Sequence, residues 1–420
     1  MNKKTKSKLL NYGLLLFFLS STYLLLEVLT AAFLPNMPLR LQGYLPRAIG
    51  ILAQSSKNGL KPKIYVALCG DSNAVGLGEW FKSVNKWKNP DFGSQHILHK
   101  KTGSDVITFG QSGVGSLGGM VASPINGFRY LDSTSFFRID KPEIILAYFF
   151  EGNDINNNIE EIELRFREKE KYDMKKLYDK AYFRKFIREV IVDKDKAYAE
   201  EIKSFQWYDN LVFLKFMRNM ISSDLEKIMG KRMKNIEGDE ENPGKVKDRK
   251  WDLAEEQINR VLVNGKEVAV PGRLQSPALE LNEKEIELSL YVFEQSLDYM
   301  RQFFNGSKIF VVYIPAPLSS YDLASDKVSI QTYHGRDTIY KAGDVAKNHY
   351  LISSRIKKIA EDNDCVFINT TEAIRNASRK KLLHGPKEWK HFNKDGYTAF
   401  TEAIIPYMSL NVSKDAGLKR

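Results

Sequence analysis

The sequence predicts an α/β fold, an open and mainly parallel sheet with helices on both faces. Two observations predict it. Five short runs rich in Val, Ile, Phe and Tyr lack the strict alternation of a half-exposed strand, as strands buried on both faces do. Helical patterns follow several of these runs, so strand and helix alternate along the chain instead of segregating. With 420 residues, 43% hydrophobic and 27% charged, the chain has enough apolar material for a large core and does not have the composition of a disordered protein.

The chain opens with lysines at 3, 4, 6 and 8, followed by the apolar run LLNYGLLLFFLSSTYLLLEVLTAAFL over 9–34. A membrane-spanning helix needs about 20 such residues, and flanking lysines favour the cytoplasmic side. The expected organisation is a cytoplasmic tail at 1–8, a transmembrane signal-anchor at 9–34, a tether at 35–60, and an exported remainder. A cleaved signal peptide is the competing reading; its apolar core would be long, and no small-residue cleavage site precedes Pro35. Both readings put the rest of the chain outside the cytoplasm. Glu27 lies near the outer end of the run, at the expected interface.

KIYVALCG (63–70), DVITFG (105–110) and PEIILAYFF (142–150) are the first three expected strands. Residues 155–280 then break the rhythm and read as a mainly helical insertion. Within it, FQWYDNLVFLKFMRNMI (205–221) is apolar enough to pack against the main domain, GDEENPGK (238–245) is an expected exposed loop, and VLVNGKEVAV (261–270) is an expected hairpin turning at Asn264-Gly265. LNEKEIELSLYVFEQSLDYMRQFF (281–304) has an Asn cap and early acids; KIFVVYIP (308–315), a second helical pattern at 343–363 and the strand CVFINT (365–370) follow.

The net charge is +11, part of it in the first eight residues, and the other Lys and Arg are interleaved with Asp and Glu. No basic stripe or motif points to a nucleic acid; an anionic lipid or acidic glycan is compatible. Two cysteines, Cys69 and Cys365, form neither a disulfide framework nor a metal cluster and read as small core residues. His96 and His99 are three apart, with no carboxylate or Cys cluster to complete a metal site.

In open α/β sheets ligands bind beyond the carboxyl ends of the strands. Here the first strand ends in Gly70-Asp71-Ser72, the second in FGQSGVGSLGG with Gly113, and the third in Glu151-Gly152-Asn153-Asp154. KEWKHFNKDGY, with His391, precedes the last helix. Each stretch alone is ordinary turn or surface chemistry. In this order, each in its own block, the four resemble the SGNH/GDSL hydrolase family, over roughly 61–154 and 281–412. The resemblance implies a three-layer α/β/α sandwich with a flavodoxin-like strand order 2-1-3-4-5, in which strands one and five are not neighbours and Cys69 and Cys365 stay unpaired. It implies Ser72 as nucleophile, His391 as base and then acid, and an oxyanion hole from the Ser72 N–H, the Gly113 N–H and the Asn153 amide, without metal or cofactor. One position departs. The family usually has Asp three residues before the His, and here Glu388 stands there, with an extra methylene that changes its reach. Asp395 reads as a turn or cap residue, and Asp71 and Asp154 as turn-fixing side chains.

The activity so implied is that of a membrane-anchored, extracytoplasmic serine esterase removing acyl or acetyl groups from a cell-surface glycan or related ester, glycan or lipid. An O-acyltransferase using the same serine and histidine, and a non-catalytic binding or assembly protein with this fold, are the alternatives.

Overall fold

The computed structural model describes residues 3–134, 136–194, 211–234, 259–333, 335 and 338–416. Five strands, β1 (Tyr65–Cys69), β2 (Asp105–Thr108), β3 (Ile144–Phe150), β4 (Lys308–Ile314) and β5 (Val366–Asn369), form one parallel sheet in the order β2-β1-β3-β4-β5. They are the five apolar runs of the sequence. Tyr65, Ala67 and Cys69 face one apolar core while Val66 and Leu68 face another, which is why the strands do not alternate. Leu68 stands opposite both Thr108 and Leu146, and Phe150 stands opposite Ile314. The carboxyl ends of β2, β1 and β3 therefore lie side by side. Cys69 and Cys365 are both buried and free, with β3 and β4 between their strands.

In chain order the helices include α1 (Lys3–Phe33), α2 (Ser72–Val75), α3 (Gly93–Thr102), α4 (Ser123–Ser133), α5 (Asp154–Glu161), α6 (Val212–Lys234), α7 (Glu283–Phe303) and α8 (Lys394–Ala416). Asn282 and Glu285 form a reciprocal capping box at the start of α7, which buries Ile286, Leu290, Phe293, Leu297 and Met300 at helical spacing. These residues share the first core with α4 and with Ile162, Phe166, Phe183, Phe186 and Ile191. Residues 155–192 thus pack into the main body. The second core holds Phe400 and Ile404 of α8 together with the hairpin Arg260–Val263/Lys266–Ala269. That hairpin turns at Asn264 (φ 52°) and Gly265 (φ 70°), a left-handed pair that asparagine and glycine tolerate best. The stretch 238–245 and residues 205–210 lie outside the described residues; 212–221 opens α6.

Among the described residues one helix is long and apolar enough to cross a membrane. It runs over Leu10–Asn36, most of it α1, with mean hydropathy 1.9 and almost no burial.

Candidate active site

Asp71 and Ser72 follow β1 directly. The Asp71 carboxylate caps α2 by accepting from the Asn73 N–H at 2.9 Å. The helix is only four residues long and closes at Gly76 (φ +83°), so the helix dipole at Ser72 is small. What Ser72 offers instead is an uncommitted N–H: neither its backbone amide nor that of Gly113 donates to another group among the described residues.

Ser72 Oγ is 2.8 Å from His391 Nε2, and His391 Nδ1 is 3.0 Å from Glu388 Oε2. A serine thus meets a histidine 319 positions later, and the carboxylate three residues before that histidine, in one chain of hydrogen bonds. The longer glutamate is folded back on its own loop: Oε1 accepts from Lys390 N at 2.8 Å and Oε2 from His391 N at 3.2 Å. Those bonds consume the extra methylene's reach and aim the carboxylate at the imidazole. Burial alone would raise the Glu388 pKa, but its bond to His391 and the Lys390 N–H outweigh this and hold the carboxyl below its usual range. A carboxylate at Nδ1 selects the tautomer whose Nε2 can accept the Ser72 proton.

The histidine loop is docked on the serine loop. The Tyr397 hydroxyl donates to Leu77 O at 2.6 Å. Gly78 (φ +136°) sits so close that an added Cβ would stand 2.6 Å from Phe392 O and 3.1 Å from His391 Cβ. Asp395 does not cap α8. It pairs with Lys381 at 2.7 Å, and Asn393 is the cap, its Oδ1 accepting from Gly396 N.

The second block interlocks with the first. Gly70 N donates to Gly119 O and Gln111 N to Gly70 O, both at 3.0 Å. Gly113 sits in the turn after β2 with φ +72° and open space around its Cα, so a reactant can approach its N–H. Asn153 stands at the N-terminal boundary of α5 directly after β3 without making a side-chain cap bond, and its buried Oδ1 has no partner. An uncommitted carboxamide beside the serine loop is available to a ligand.

Sequence reasoning missed what holds the glycine-rich loop. Asn157, Asn158 and Glu161 project from α5 onto it. Asn157 Nδ2 donates to Val114 O at 3.2 Å, and Asn158 Oδ1 accepts from Ser116 N at 2.7 Å. Glu161 accepts from the Gly115, Leu117 and Gly118 amides at 3.2, 3.1 and 3.0 Å. The helix that carries Asn153 therefore also fixes the loop that carries Gly113. Burial pushes the Glu161 carboxyl up to about 7, against the pull of Arg165 and the three amides. The signal was present in the sequence as polar residues at i, i+1 and i+4 behind the third block.

Two more carboxylates are buried nearby. Asp71 is pushed up by burial; Asp154 is pushed up further, by burial and then by Asp71 itself. Asp154 Oδ2 accepts from Phe150 N at 2.8 Å, so both aspartates bind backbone amides at the turns they flank. Asp71 Oδ2 is also 3.2 Å from Ser72 Oγ, a second acceptor for the serine proton. Glu151 lies behind them, taking Tyr313 OH at 2.6 Å, His349 Nδ1 at 2.7 Å and Ala316 N at 2.8 Å.

His96 and His99 lie on α3, where their ring nitrogens meet Phe92 O, Ser55 Oγ and Ser104 O. No group of three or more His, Cys, Asp or Glu with metal-binding geometry occurs among the described residues. No family model matches the sequence, and neither a curated protein nor a solved structure matches it.

Proposed function

We propose that the protein is a serine ester hydrolase of the SGNH type, tethered by α1 with its catalytic domain outside the cytoplasm. One observation carries the reading: the continuous chain Ser72 Oγ, His391, Glu388 at 2.8 and 3.0 Å, at the carboxyl edge of a parallel sheet. Unused donors on Ser72, Gly113 and Asn153 at the same edge support it.

His391 takes the Ser72 proton as Oγ bonds to the ester carbonyl carbon. The carbonyl oxygen becomes an oxyanion, received by the Ser72 and Gly113 N–H groups and the Asn153 amide. Collapse of the intermediate breaks the bond to the alcohol, which leaves with the proton from His391. Water, deprotonated by the same imidazole, then releases the acid from Ser72. The substrate class that suits an outward-facing tethered domain is a glycan or related cell-surface ester bearing acyl or acetyl groups.

The test is labelling of the detergent-solubilised full chain with a fluorophosphonate, beside Ser72→Ala and His391→Ala. Labelling of wild type alone is the expected result. Equal labelling of Ser72→Ala refutes the assignment, and an unlabelled, folded wild type favours the non-catalytic binding or assembly role. Following the acyl group from an acetylated glycan into water or onto an added sugar separates hydrolysis from O-acyl transfer by the same serine.

A further inference from the structure

The apolar helix α1 carries one acidic residue in its outer part, and the structure gives that residue a specific task. Glu27 Oε2 accepts from Phe213 N at 2.9 Å and Oε1 from Leu214 N at 3.1 Å. The carboxylate thereby satisfies two of the amides that a helix start leaves unpaired, so α6 begins against the side of α1. Tyr23 and Phe213 pack at 6.5 Å between ring centres. Further along, Phe216 meets Tyr44 at 6.1 Å and Asn219 donates to Tyr44 O at 2.9 Å. Lys215 reaches the Tyr130 hydroxyl at 3.2 Å. α6 therefore bridges α1 and the folded body at the point where the chain leaves the apolar helix.

Helix geometry places this junction. With the hydrocarbon beginning at Leu10, about 30 Å of core ends near Thr30 at ~1.5 Å per residue. Glu27 then lies within one turn of the outer boundary, and the start of α6 lies at the level where hydrocarbon gives way to headgroups. The outward face of α6 has the composition that such a level selects. Leu214 and Ile221 are each 52% exposed and lie two turns apart on one face, with exposed Arg218 between them. Its stem can lie along apolar surface while its guanidinium reaches phosphate.

A second element reaches the same junction. The residues just past α1 are tied to the loop 86–89: Leu39 N donates to Lys88 O at 2.8 Å, Arg40 N to Lys86 O at 2.9 Å, and Asn89 Nδ2 to Pro35 O at 2.9 Å. Trp87 stands 62% exposed at the tip of this loop, with the Arg40 guanidinium 4.6 Å from its ring centre and Lys86 and Lys88 exposed on either side. Exposed tryptophan among cations beside a membrane-crossing helix is the composition of an interfacial belt.

We propose that α6 and the Trp87 loop form a collar that lies on the outer surface of the bilayer crossed by α1, fixing the orientation of the folded body. Its partner is the anionic phospholipid headgroup layer. Leu214, Ile221 and Trp87 supply the apolar contact, and Arg40, Lys86, Lys88 and Arg218 supply the charge. The inference rests on α1 being a membrane span, and the test separates the two.

The full chain is reconstituted into phosphatidylcholine–phosphatidylglycerol vesicles containing doxyl-labelled lipid. A bimane fluorophore is attached in turn to Leu214→Cys, Ile221→Cys, Gly13→Cys within α1, and Tyr350→Cys, which is 74% exposed on the folded body. The native Cys69 and Cys365 are buried. The expected result is quenching of Gly13→Cys by deep doxyl groups, and quenching of Leu214→Cys and Ile221→Cys by shallow ones, severalfold above Tyr350→Cys. Quenching at Gly13→Cys with Leu214→Cys and Ile221→Cys no different from Tyr350→Cys overturns the collar and leaves the span standing. Absence of quenching at Gly13→Cys overturns the span, and the collar with it.

Discussion

Glu161→Gln tests how the glycine-rich loop is held. In wild type one carboxylate takes three buried amides: Gly115 and Gly118 on Oε1, and Leu117 on Oε2. Glutamine keeps one oxygen and can satisfy the first two, but turns its NH2 toward Leu117 N–H. One orphaned buried donor costs about 1–3 kcal/mol. The loop is expected to relieve that by shifting, which carries the Gly113 N–H away from its place. Complete loss of such a donor costs about 10²–10³ in kcat; a displaced one is expected to cost ~10- to 100-fold. The same substitution has a pH signature. The folded carboxyl titrates at about 7, above the usual carboxylate value, so between the two values the folded state binds a proton that the unfolded chain has released. Stability from this group is therefore present at acid pH and lost as pH rises toward 7. A shift of this size, discounted for the partly exposed side chain, is about 2 kcal/mol. Fluorophosphonate labelling rates and melting temperatures from pH 5 to 8 read both effects. Wild type is expected to lose stability across that window, and Glu161→Gln to have a flatter profile and slower labelling. A variant that labels at the wild-type rate with the wild-type pH slope refutes the reasoning.

Asn153→Ala is expected to lower kcat on a chromogenic ester by about 10²–10³. It should leave the melting temperature near wild type, because the Asn153 Oδ1 has no protein partner to lose; a large drop in melting temperature instead assigns the residue a structural role. Glu388→Gln keeps the shape but removes the charge at Nδ1, and kcat is expected to fall by about 10² or more, with Glu388→Asp intermediate because its shorter chain must abandon either the imidazole or the loop amides. Since the Glu388 carboxyl is held below its usual range, its contribution to stability is present above the ordinary carboxylate pKa and lost as pH falls below it; acid melting curves of wild type and Glu388→Gln are expected to converge there. Gly78→Ala forces a Cβ against Phe392 O in a left-handed backbone, at a cost of about 1–3 kcal/mol, and should slow labelling of Ser72 by moving His391; unchanged labelling would show that the two loops are not in register contact.

The sequence by itself determined the sheet and the blocks at its edge. Strands buried on both faces leave a local signature, an unbroken β-branched and aromatic run, and each of the five runs became a strand. The turn residues that follow β1, β2 and β3 were legible for the same reason, because chain order and strand ends are local properties. The capping box at Asn282 and the Asn264-Gly265 turn are short-range chemistry and were equally readable. Distances between blocks are not local. Only the tertiary structure brought His391 to 2.8 Å from a serine 319 positions earlier, and only there do the loop amides hold a glutamate with its carboxylate against Nδ1. The same holds for Glu161, whose three partners lie more than forty residues away, and for Glu27, whose partners lie 186 and 187 positions away. In the sequence Glu27 is an acid at the end of an apolar run. In the fold it is the cap of another helix, because the unpaired amides at the start of α6 and the carboxylate of α1 satisfy each other.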